Sequence, residues 1–393
     1  MRKKQIVLAA VSAVLAMSLA GCSGSTSAAE TTAAATEAAA EKTTAEETTT
    51  EETASEAIAS DEASEAAESL AAQGVAETEG VLRVNGGEEI PLSSLEHLTD
   101  SEEGSAVYFT SDITPEALVE IYEALGWTPT GNVAVKMSTG EPPASNYLRP
   151  ELIKDLVQQV NGTIVECNTA YGGSRAETAM HYQVAEDHGL TEIAEVKIQD
   201  EDGSMSIPVE GGTRLTENFV GAAFGDYDSY LVLSHFKGHA MAGFGGAIKN
   251  ISIGLGSSEG KCWIHTGGVS RTSFSGGEQN AFLEAMGDAG KAVSDYMGNG
   301  ERITYISVMN RISIDCDCDG NPAEPDIHDI GIMASNDPVA LDQACIDLVS
   351  NTEGSESLMN RIADRNGIHT LENAEAIGLG SRSYQLVNLD FES

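Results

Sequence analysis

SYLVLSHFKGHAMAGFGGAIKN, residues 229–250, joins a short apolar run typical of a buried β-strand to a segment rich in histidine, lysine and glycine. The apolar run covers residues 229–233. Two histidines, two lysines and four glycines then fall within seventeen residues, so backbone N–H groups and cations gather at the end of the predicted strand. Such a loop can hold an anion or a negatively charged cofactor. It is neither a phosphate-binding loop of the Gly-Lys-Ser type nor a dinucleotide fingerprint.

Apolar strand-like runs alternate with amphipathic helical stretches on both sides of this segment. The predicted strands cover residues 107–109, 133–135, 163–167, 194–198, 229–233, 303–308 and 330–333. The predicted helices cover residues 115–125, 150–160, 176–188, 280–297, 338–349 and 357–365. Repeated strand–helix alternation predicts an α/β fold, a mostly parallel sheet covered by helices on both faces, as one domain or two packed lobes. Ligands in such folds bind beyond the carboxyl ends of the strands. The loops concerned follow Cys167, Leu233, Val308 and Met333.

The N-terminus has the pattern of an export signal. The chain begins MRKK, and an apolar stretch follows over residues 6–20, too short to span a bilayer as a permanent helix. The stretch ends in LAGC, residues 19–22, where small residues admit a peptidase and a thiol is ready for diacylglycerol attachment. We predict a lipoprotein signal peptide over residues 1–22, with Cys22 lipidated and the protein anchored to the extracytoplasmic face of the cell membrane. The alternative is an ordinary secretory peptide with an incidental cysteine.

Residues 23–80 consist mainly of Ala, Thr, Glu and Ser, and they cannot bury enough apolar surface to offset the entropy of ordering. We therefore predict a disordered acidic tether over residues 23–80 and an α/β domain over residues 81–393. The chain carries 62 acidic and 21 basic residues, a net charge of −41. It lacks the basic surface that phosphate-backbone binding needs, which argues against nucleic acid as a partner.

Several groups near the predicted strand ends are candidates for binding a small anionic ligand. They are Lys237, Gly238, Gly245, Gly246, Lys249, Asn250, Lys261 and Arg175. Arg175 could hold a carboxylate through two hydrogen bonds, and an ordinary turn with Arg175 on the surface is the alternative. His235 and His239 would share one face of a helix, as metal ligands sometimes require, although Gly238 disfavours a helix there. Histidines hydrogen-bonded within the protein are the alternative.

Residues 315–320, DCDCDG, form a second candidate site because thiols and carboxylates alternate along them. On an extended strand, Asp315, Asp317 and Asp319 would point to one side and the two thiols to the other. A disulfide between Cys316 and Cys318 would be strained, which makes a shared ligand role or a redox role one interpretation. Inert thiols in a low-oxygen habitat are the alternative.

Two kinds of metal site fit this segment. A transition metal such as iron or zinc would suit thiolates with nearby imidazoles. The candidate ligands are His235, His239, His265, Cys316, Cys318 and Asp317. The Asp-x-Asp-x-Asp-Gly spacing is that of a calcium loop, but position twelve is Asp326 rather than Glu, and neither flanking helix is predicted. An exposed acidic turn is the third interpretation.

Residues 337–345 contain the predicted start of the helix over residues 338–349. Asp337 followed by Pro338 is typical of a helix cap and a first helical position. Cys345, later on the same helix, is expected to be buried as a small apolar side chain.

Several of these motifs together resemble the family known as domain of unknown function 362. The matching stretches are HFKGH at 235–239, GFGGAIKN at 243–250, GK at 260–261, His265, CDC at 316–318, DIGI at 329–332 and DPVA at 337–340. The resemblance spans roughly residues 106–390. It implies the family's fold and a candidate site around these residues, and it alone adds Asp337 or Asp342 to that site.

Members of that family often carry a ferredoxin-type iron–sulfur module. Between His265 and Asn280, where such a module is expected, this chain has only a Gly/Ser-rich link over residues 267–277. The sequence also contains no Cys-x-x-Cys-x-x-Cys run. The resemblance therefore does not imply cluster-mediated electron transfer for this chain.

The leading hypothesis is a membrane-anchored lipoprotein whose domain binds a metal, or a metal-containing or anionic ligand, with a redox role left open. The alternatives are a non-catalytic solute-binding or surface adaptor protein, and a calcium-binding loop at residues 315–320. A serine hydrolase is not supported, because there is no Gly-x-Ser-x-Gly elbow. The hypothesis requires imidazoles, thiols and ammonium groups, far apart in the sequence, to meet in one crevice.

Overall fold

The computed structural model describes residues 79–390, which contain fourteen strands and nine α-helices. The strands are β1 (Val81–Arg83), β2 (Glu89–Pro91), β3 (Ser105–Thr110), β4 (Val133–Lys136), β5 (Thr163–Glu166), β6 (Val196–Ile198), β7 (Ser204–Pro208), β8 (Glu217–Gly221), β9 (Ser229–His235), β10 (Lys237–His239), β11 (Gly243–Gly245), β12 (Ile303–Met309), β13 (Gly331–Ser335) and β14 (Tyr384–Asn388). The helices are α1 (Pro115–Ala124), α2 (Pro150–Gln159), α3 (Thr178–Asp187), α4 (Ala247–Ser252), α5 (Ser258–His265), α6 (Gln279–Tyr296), α7 (Pro338–Ser350), α8 (Glu356–Asp364) and α9 (His369–Ala376).

The main sheet has eight strands in the order β14-β3-β13-β12-β9-β4-β5-β6. Five of its neighbouring pairs are parallel, and only β13 runs against the others, pairing antiparallel with both β12 and β3. The predicted α/β class with a mostly parallel sheet is confirmed.

Both faces of this sheet are covered, and β9 shows why. Tyr230 and Val232 point into one apolar cluster, whereas Leu231 and Leu233 point into another, as the two-residue period of a strand requires. Helices α4 to α9 contribute to the first cluster and α1 to α3 to the second. The sequence of a strand that is buried on both faces is a continuous apolar run. Residues 229–233 of β9 form such a run.

The reversed strand β13 corrects one expectation. The loop after Met333 was expected at the ligand-binding edge, but β13 runs antiparallel, so its carboxyl end lies at the opposite edge of the sheet. The register pairs Met309 with Gly331. Both ends of the loop over residues 310–330 therefore lie at the carboxyl edge of β12, and the reversal keeps residues 315–320 there.

All seven predicted strands and all six predicted helices are present, with ends shifted by about two residues or less. The sequence analysis missed β14 at the sheet edge, the small hairpins, and helices α4, α5 and α9. These three helices are only six to eight residues long, and isolated helices of that length have little intrinsic stability, so their sequence signal is weak.

The described residues all belong to one compact unit, and two lobes are not distinguished within them. The predicted signal peptide, its lipidation site Cys22 and nearly all of the predicted tether lie outside the described residues. Within residues 79–390, no helix is both long enough and apolar enough to cross a membrane.

Candidate functional site

A cavity of about 490 Å³ opens at the carboxyl edge of β4, β5 and β9. Thirteen of the fourteen residues predicted to bind a ligand or a metal line it. They are Arg175, His235, Lys237, His239, Gly245, Gly246, Lys249, Asn250, Lys261, His265, Cys316, Asp317 and Cys318. The fourteenth, Gly238, does not line the cavity. The structure thus brings the scattered groups into one crevice, while their individual roles stay predictions.

Gly238 lies behind the cavity, where it fixes the distance between two segments. Its N–H donates to the carbonyl oxygen of Ser313 at 2.8 Å. A β-carbon there would lie 2.7 Å from Cα of Ile314 and closer still to the Ile314 carbonyl group. Because glycine has no side chain, β10 can pack directly against the backbone that leads to Cys316.

Asp317 is the buried carboxylate that joins the two predicted sites. Its Oδ1 lies 2.8 Å from Nδ1 of His235, and its Oδ2 accepts from Nζ of Lys237 at 2.8 Å. Burial alone would raise the pKa of Asp317, but Lys237 and His235 outweigh burial and hold the pKa well below its usual value. Nε2 of His235 lies 2.7 Å from the Asn310 carbonyl oxygen, so both ring nitrogens of His235 are already engaged.

These contacts correct three expectations about residues 315–320. The segment is a series of turns and bends rather than an extended strand, and Asp317 is buried while Asp319 is exposed. The three carboxylates have different partners: Asp317 contacts His235 and Lys237, whereas Asp315 accepts from the N–H of Ala323 and Asp319 from the N–H of Asn321. Both oxygens of Asp317 are used by His235 and Lys237, so the calcium-loop interpretation does not fit this geometry.

A second buried ion group lies on the other side of the cavity. Glu166 is 3.0 Å from Nζ of Lys136 and 3.9 Å from the guanidinium of Arg175, which also donates to Glu141 at 3.1 Å. Burial would raise the pKa of Glu166, but Lys136, Lys261 and Arg175 lower it to about 2. Arg175 is buried, so the alternative that placed it on the surface is wrong.

Two cations in the cavity have no carboxylate partner among the described residues, Lys249 and Lys261. Nζ of Lys261 donates to the Gly256 carbonyl oxygen at 2.6 Å. Burial and the neighbouring Lys237 lower the pKa of Lys249 to about 7. Asn250, another predicted ligand-binding residue, already has a partner within the protein: its Oδ1 accepts a hydrogen bond from Nζ of Lys136 at 2.8 Å.

His239, Cys316 and Cys318 form a group of potential metal ligands, with ligand atoms within 4.8 Å of one another. The two sulfurs are joined as a disulfide, although the one-residue separation led us to expect otherwise. Nδ1 of His239 accepts from the backbone N–H of Ala242 at 2.9 Å and of Met241 at 3.3 Å. Since burial holds the pKa of His239 well below its usual value, the ring is neutral and Nε2 carries its proton.

His265 is held by two aromatic rings rather than by a charged partner. Its ring centroid is 3.9 Å from that of Phe274 and 4.7 Å from that of Phe282, and its Nδ1 donates to the Lys261 carbonyl oxygen at 2.7 Å. Burial lowers the pKa of His265 to about 3, so the ring is neutral. Phe274 belongs to the Gly/Ser-rich link over residues 267–277, which therefore forms part of the cavity wall.

Asp337 and Asp342 do not line the cavity. Asp337 caps α7, accepting from the N–H groups of Val339 and Ala340, and the predicted helix start is confirmed. Asp342 accepts from the N–H groups of Ala247 and Ile248 at 2.6 and 3.0 Å, so it supports the start of α4 beside the cavity. Burial raises the pKa of Asp342 to about 7.

Cys345 is fully buried, as expected, and Cys167 and Cys262 are also buried free thiols. Burial raises the pKa of Cys167 and that of Cys345 far above the usual value of a cysteine thiol. A thiol in this state is a poor nucleophile, which is consistent with packing roles.

The family model described as Domain of unknown function (DUF362) matches residues 133–347, more than half of the chain. The chain belongs to this family. The matched range of this DUF362 protein runs from β4 into α7, and every residue that lines the cavity falls within it.

Two solved structures resemble the DUF362 chain at low similarity. The lactate racemase apoprotein from Thermoanaerobacterium thermosaccharolyticum is 13% identical, with a TM-score of 0.38 over 69% of this chain and 62% of that chain. A protein from Thermotoga maritima is 11% identical, with a TM-score of 0.31 over 67% of this chain and 58% of that chain. The chain thus spans less than two thirds of either structure. No curated protein matches it significantly.

Lys136, Glu166 and Phe274 are among the cavity residues that were not predicted from the sequence. Lys136 directly follows the predicted strand over residues 133–135, and Glu166 is a charged residue within the predicted strand over residues 163–167. Both positions lie at the carboxyl edge of a parallel sheet, so the strand prediction already contained a signal for them. Phe274 had no comparable signal, because nothing in a Gly/Ser-rich link predicts contact with His265.

Proposed function

We propose that this DUF362 protein binds a small anionic ligand in the cavity at the carboxyl edge of its sheet. The observation that carries the proposal is that five of the chain's 21 basic residues line this one cavity, and two of them, Lys249 and Lys261, have no carboxylate partner in residues 79–390. In a chain with a net charge of −41, a cavity lined by five basic and four acidic side chains departs from the strongly acidic composition of the whole.

The hydrogen-bonding groups favour an anion over a cation. Lys249, Lys261 and the Nε2–H of His239 are all donors, and hydrogen bonds from charged donors are among the stronger ones. Four carboxylates line the cavity. Glu166 and Asp317 are neutralised by their own cations, Asp315 lies 3.9 Å from the guanidinium of Arg361, and Asp319 is exposed. A cavity of about 490 Å³ is large enough for a small metabolite or cofactor fragment.

The cellular location is part of the same proposal. The lipoprotein signal over residues 1–22 supports a protein attached through acylated Cys22 to the outer face of the cell membrane, with the lipid bilayer as a partner. A non-catalytic solute-binding or surface adaptor role is compatible with anion binding. Catalysis is not required by it.

Oxalate binding tests the proposal. We expect calorimetry to detect oxalate binding, and Lys249→Gln and Lys261→Gln each to weaken it at least tenfold, because a hydrogen bond to a charged group contributes about 1.5–3 kcal/mol. Lys154→Gln removes the same charge from an exposed lysine outside the cavity and should leave binding unchanged. Absence of oxalate binding in the unsubstituted protein, or equal weakening by all three changes, would contradict the proposal.

A second candidate is a zinc or iron site at His239, Cys316 and Cys318, favoured by the closeness of their ligand atoms. It has two requirements: the disulfide must be reduced, and Nε2 of His239 must lose its proton or the ring must turn, because Nδ1 accepts backbone N–H groups. We expect the oxidised protein to hold little zinc by elemental analysis. Reduction should increase zinc content only if this candidate is correct, and Cys262→Ser, at a buried thiol outside the group, is the control for Cys316→Ser.

A further inference from the structure

We propose that Lys249 is a nucleophilic amine that forms an imine with the carbonyl carbon of an anionic aldehyde or 2-oxo acid bound in the cavity. This inference rests on the proposed function, because the anionic part of the ligand must be held by the cations that surround Lys249.

The position of Lys249 suits this role. It lies in the first turn of α4, the helix that directly follows Gly245 and Gly246. Its side chain lines the cavity. A β-carbon on Gly245 would lie 3.3 Å from Cδ of Lys249 and 3.6 Å from Cε of Lys237. The bare glycine therefore lets the two lysine side chains pass side by side, and it brings a second positive charge next to the Lys249 amine.

The two neighbouring lysines have different partners. Lys237 donates to Asp317 at 2.8 Å, whereas Lys249 has no carboxylate within ion-pair distance in the described part of the chain. The charged groups around Lys249 are Lys237 from β10, Asp317 from the 310–330 loop, Glu166 from β5 and Lys136 from β4. Burial and Lys237 lower the pKa of Lys249 to about 7, so a large fraction of the amine is neutral at neutral pH. A lysine that is desolvated beside another cation is an activated nucleophile.

Atoms and electrons balance in the proposed step. The lone pair of the neutral Lys249 nitrogen attacks the carbonyl carbon, and the π electron pair moves to the carbonyl oxygen, which takes up one of the two protons that the nitrogen gives up. The resulting carbinolamine loses that oxygen as water. Both hydrogens of the amine leave with the water, and a carbon–nitrogen double bond remains. No oxidant or reductant is needed.

The other donors give the ligand an orientation. Lys261 and the Nε2–H of His239 line the same cavity and can hold the carboxylate of a 2-oxo acid while its carbonyl group faces Lys249. The Lys237 side chain runs beside that of Lys249 and adds positive charge at this end of the cavity. These groups would make the reaction selective for carbonyl compounds that also carry a negative charge.

Reductive trapping tests the inference on the unsubstituted protein. Incubation with glyoxylate and sodium cyanoborohydride at pH 7, followed by peptide mass spectrometry, should modify Lys249 at least tenfold faster than Lys154, an exposed lysine outside the cavity that serves as internal reference. An ordinary lysine has a pKa near 10.4, so its neutral fraction at pH 7 is roughly a thousandth that of Lys249. Oxalate, which carries the charge but no electrophilic aldehyde, should slow modification of Lys249 and not of Lys154.

Lys249→Arg keeps the positive charge but cannot form an imine, so it should abolish the fast phase of glyoxylate incorporation measured on the whole protein. If oxalate binds by calorimetry but glyoxylate modifies Lys249 no faster than Lys154, the imine role is overturned and anion binding stands. If oxalate does not bind and Lys249 is not modified preferentially, both proposals are overturned.

Discussion

A Gly238→Ala protein is expected to lose more than about 3 kcal/mol of folding free energy, because its methyl group would overlap the backbone of Ile314. Backbone cannot move aside as a flexible side chain can. Relief would require β10 to separate from the loop that carries Cys316, which would also break the hydrogen bond to Ser313. We expect the urea midpoint followed by circular dichroism to fall steeply, or the protein to be recovered unfolded.

Gly290→Ala is the matched control. Gly290 also lies in the core, within α6, but its nearest neighbours to a new methyl group are side-chain atoms of Leu379, Ile248 and Ile251 at 3.4–3.5 Å, which is ordinary contact. Alanine is favoured over glycine in a helix by about 0.5–1 kcal/mol. The midpoint of this variant should be equal to or above that of the unsubstituted protein. A Gly238→Ala midpoint equal to that of Gly290→Ala would show that β10 does not depend on close contact with Ile314.

The second large effect is expected from Asp317→Asn, which should cost about 3–5 kcal/mol at pH 7. The neutral amide cannot offset the charge of Lys237, so an ammonium group is left in a buried site without its anion. The amide also replaces one of the two acceptor oxygens with an NH2 donor. This donor would face His235 or Lys237, both of which donate to Asp317 in the unsubstituted protein. Urea denaturation of the variant beside the unsubstituted protein measures the loss.

The pH dependence of this loss has a defined sign. The pKa of Asp317 is lower in the folded protein than in the unfolded chain, so its stabilising contribution is present above the unfolded value near 3.9 and is lost as pH falls toward the folded value. The difference between the two proteins should therefore be smaller at pH 3 than at pH 7. Asp319→Asn changes an exposed carboxylate in the same loop and should alter stability by less than about 0.5 kcal/mol at either pH. A loss at Asp317 that is independent of pH would contradict the ion-pair explanation.

These two variants probe the framework of the cavity, whereas the Lys249 and Lys261 variants probe its chemistry. Gly238 and Asp317 both join the HFKGH segment to the CDC segment, one through backbone contact and the other through charge. Lys249 and Lys261 lack such partners. Their substitution should therefore change ligand binding with smaller effects on stability.

The α/β class, the position of every strand in the main sheet except β14, and the edge at which functional groups gather could all be predicted from the sequence alone. This is possible because these features follow from local patterns: the apolar period of strands and helices, and the rule that loops after parallel strands share one edge. The motifs at residues 235–250 and 316–318 were likewise sufficient to place the chain in its family.

The direction of β13, the disulfide between Cys316 and Cys318, and the pairing of each cation with a carboxylate could not be predicted and are seen only in the folded chain. His235 and Asp317 are 82 positions apart, and Lys237 forms an ion pair with Asp317, whereas Lys249 has no carboxylate within ion-pair distance in the described residues. Charge, burial and hydrogen-bonding partners depend on atoms that distant parts of the chain bring together. No local pattern encodes them, and for that reason Lys249, whose pKa burial lowers to about 7, looked in the sequence like any other lysine of its loop.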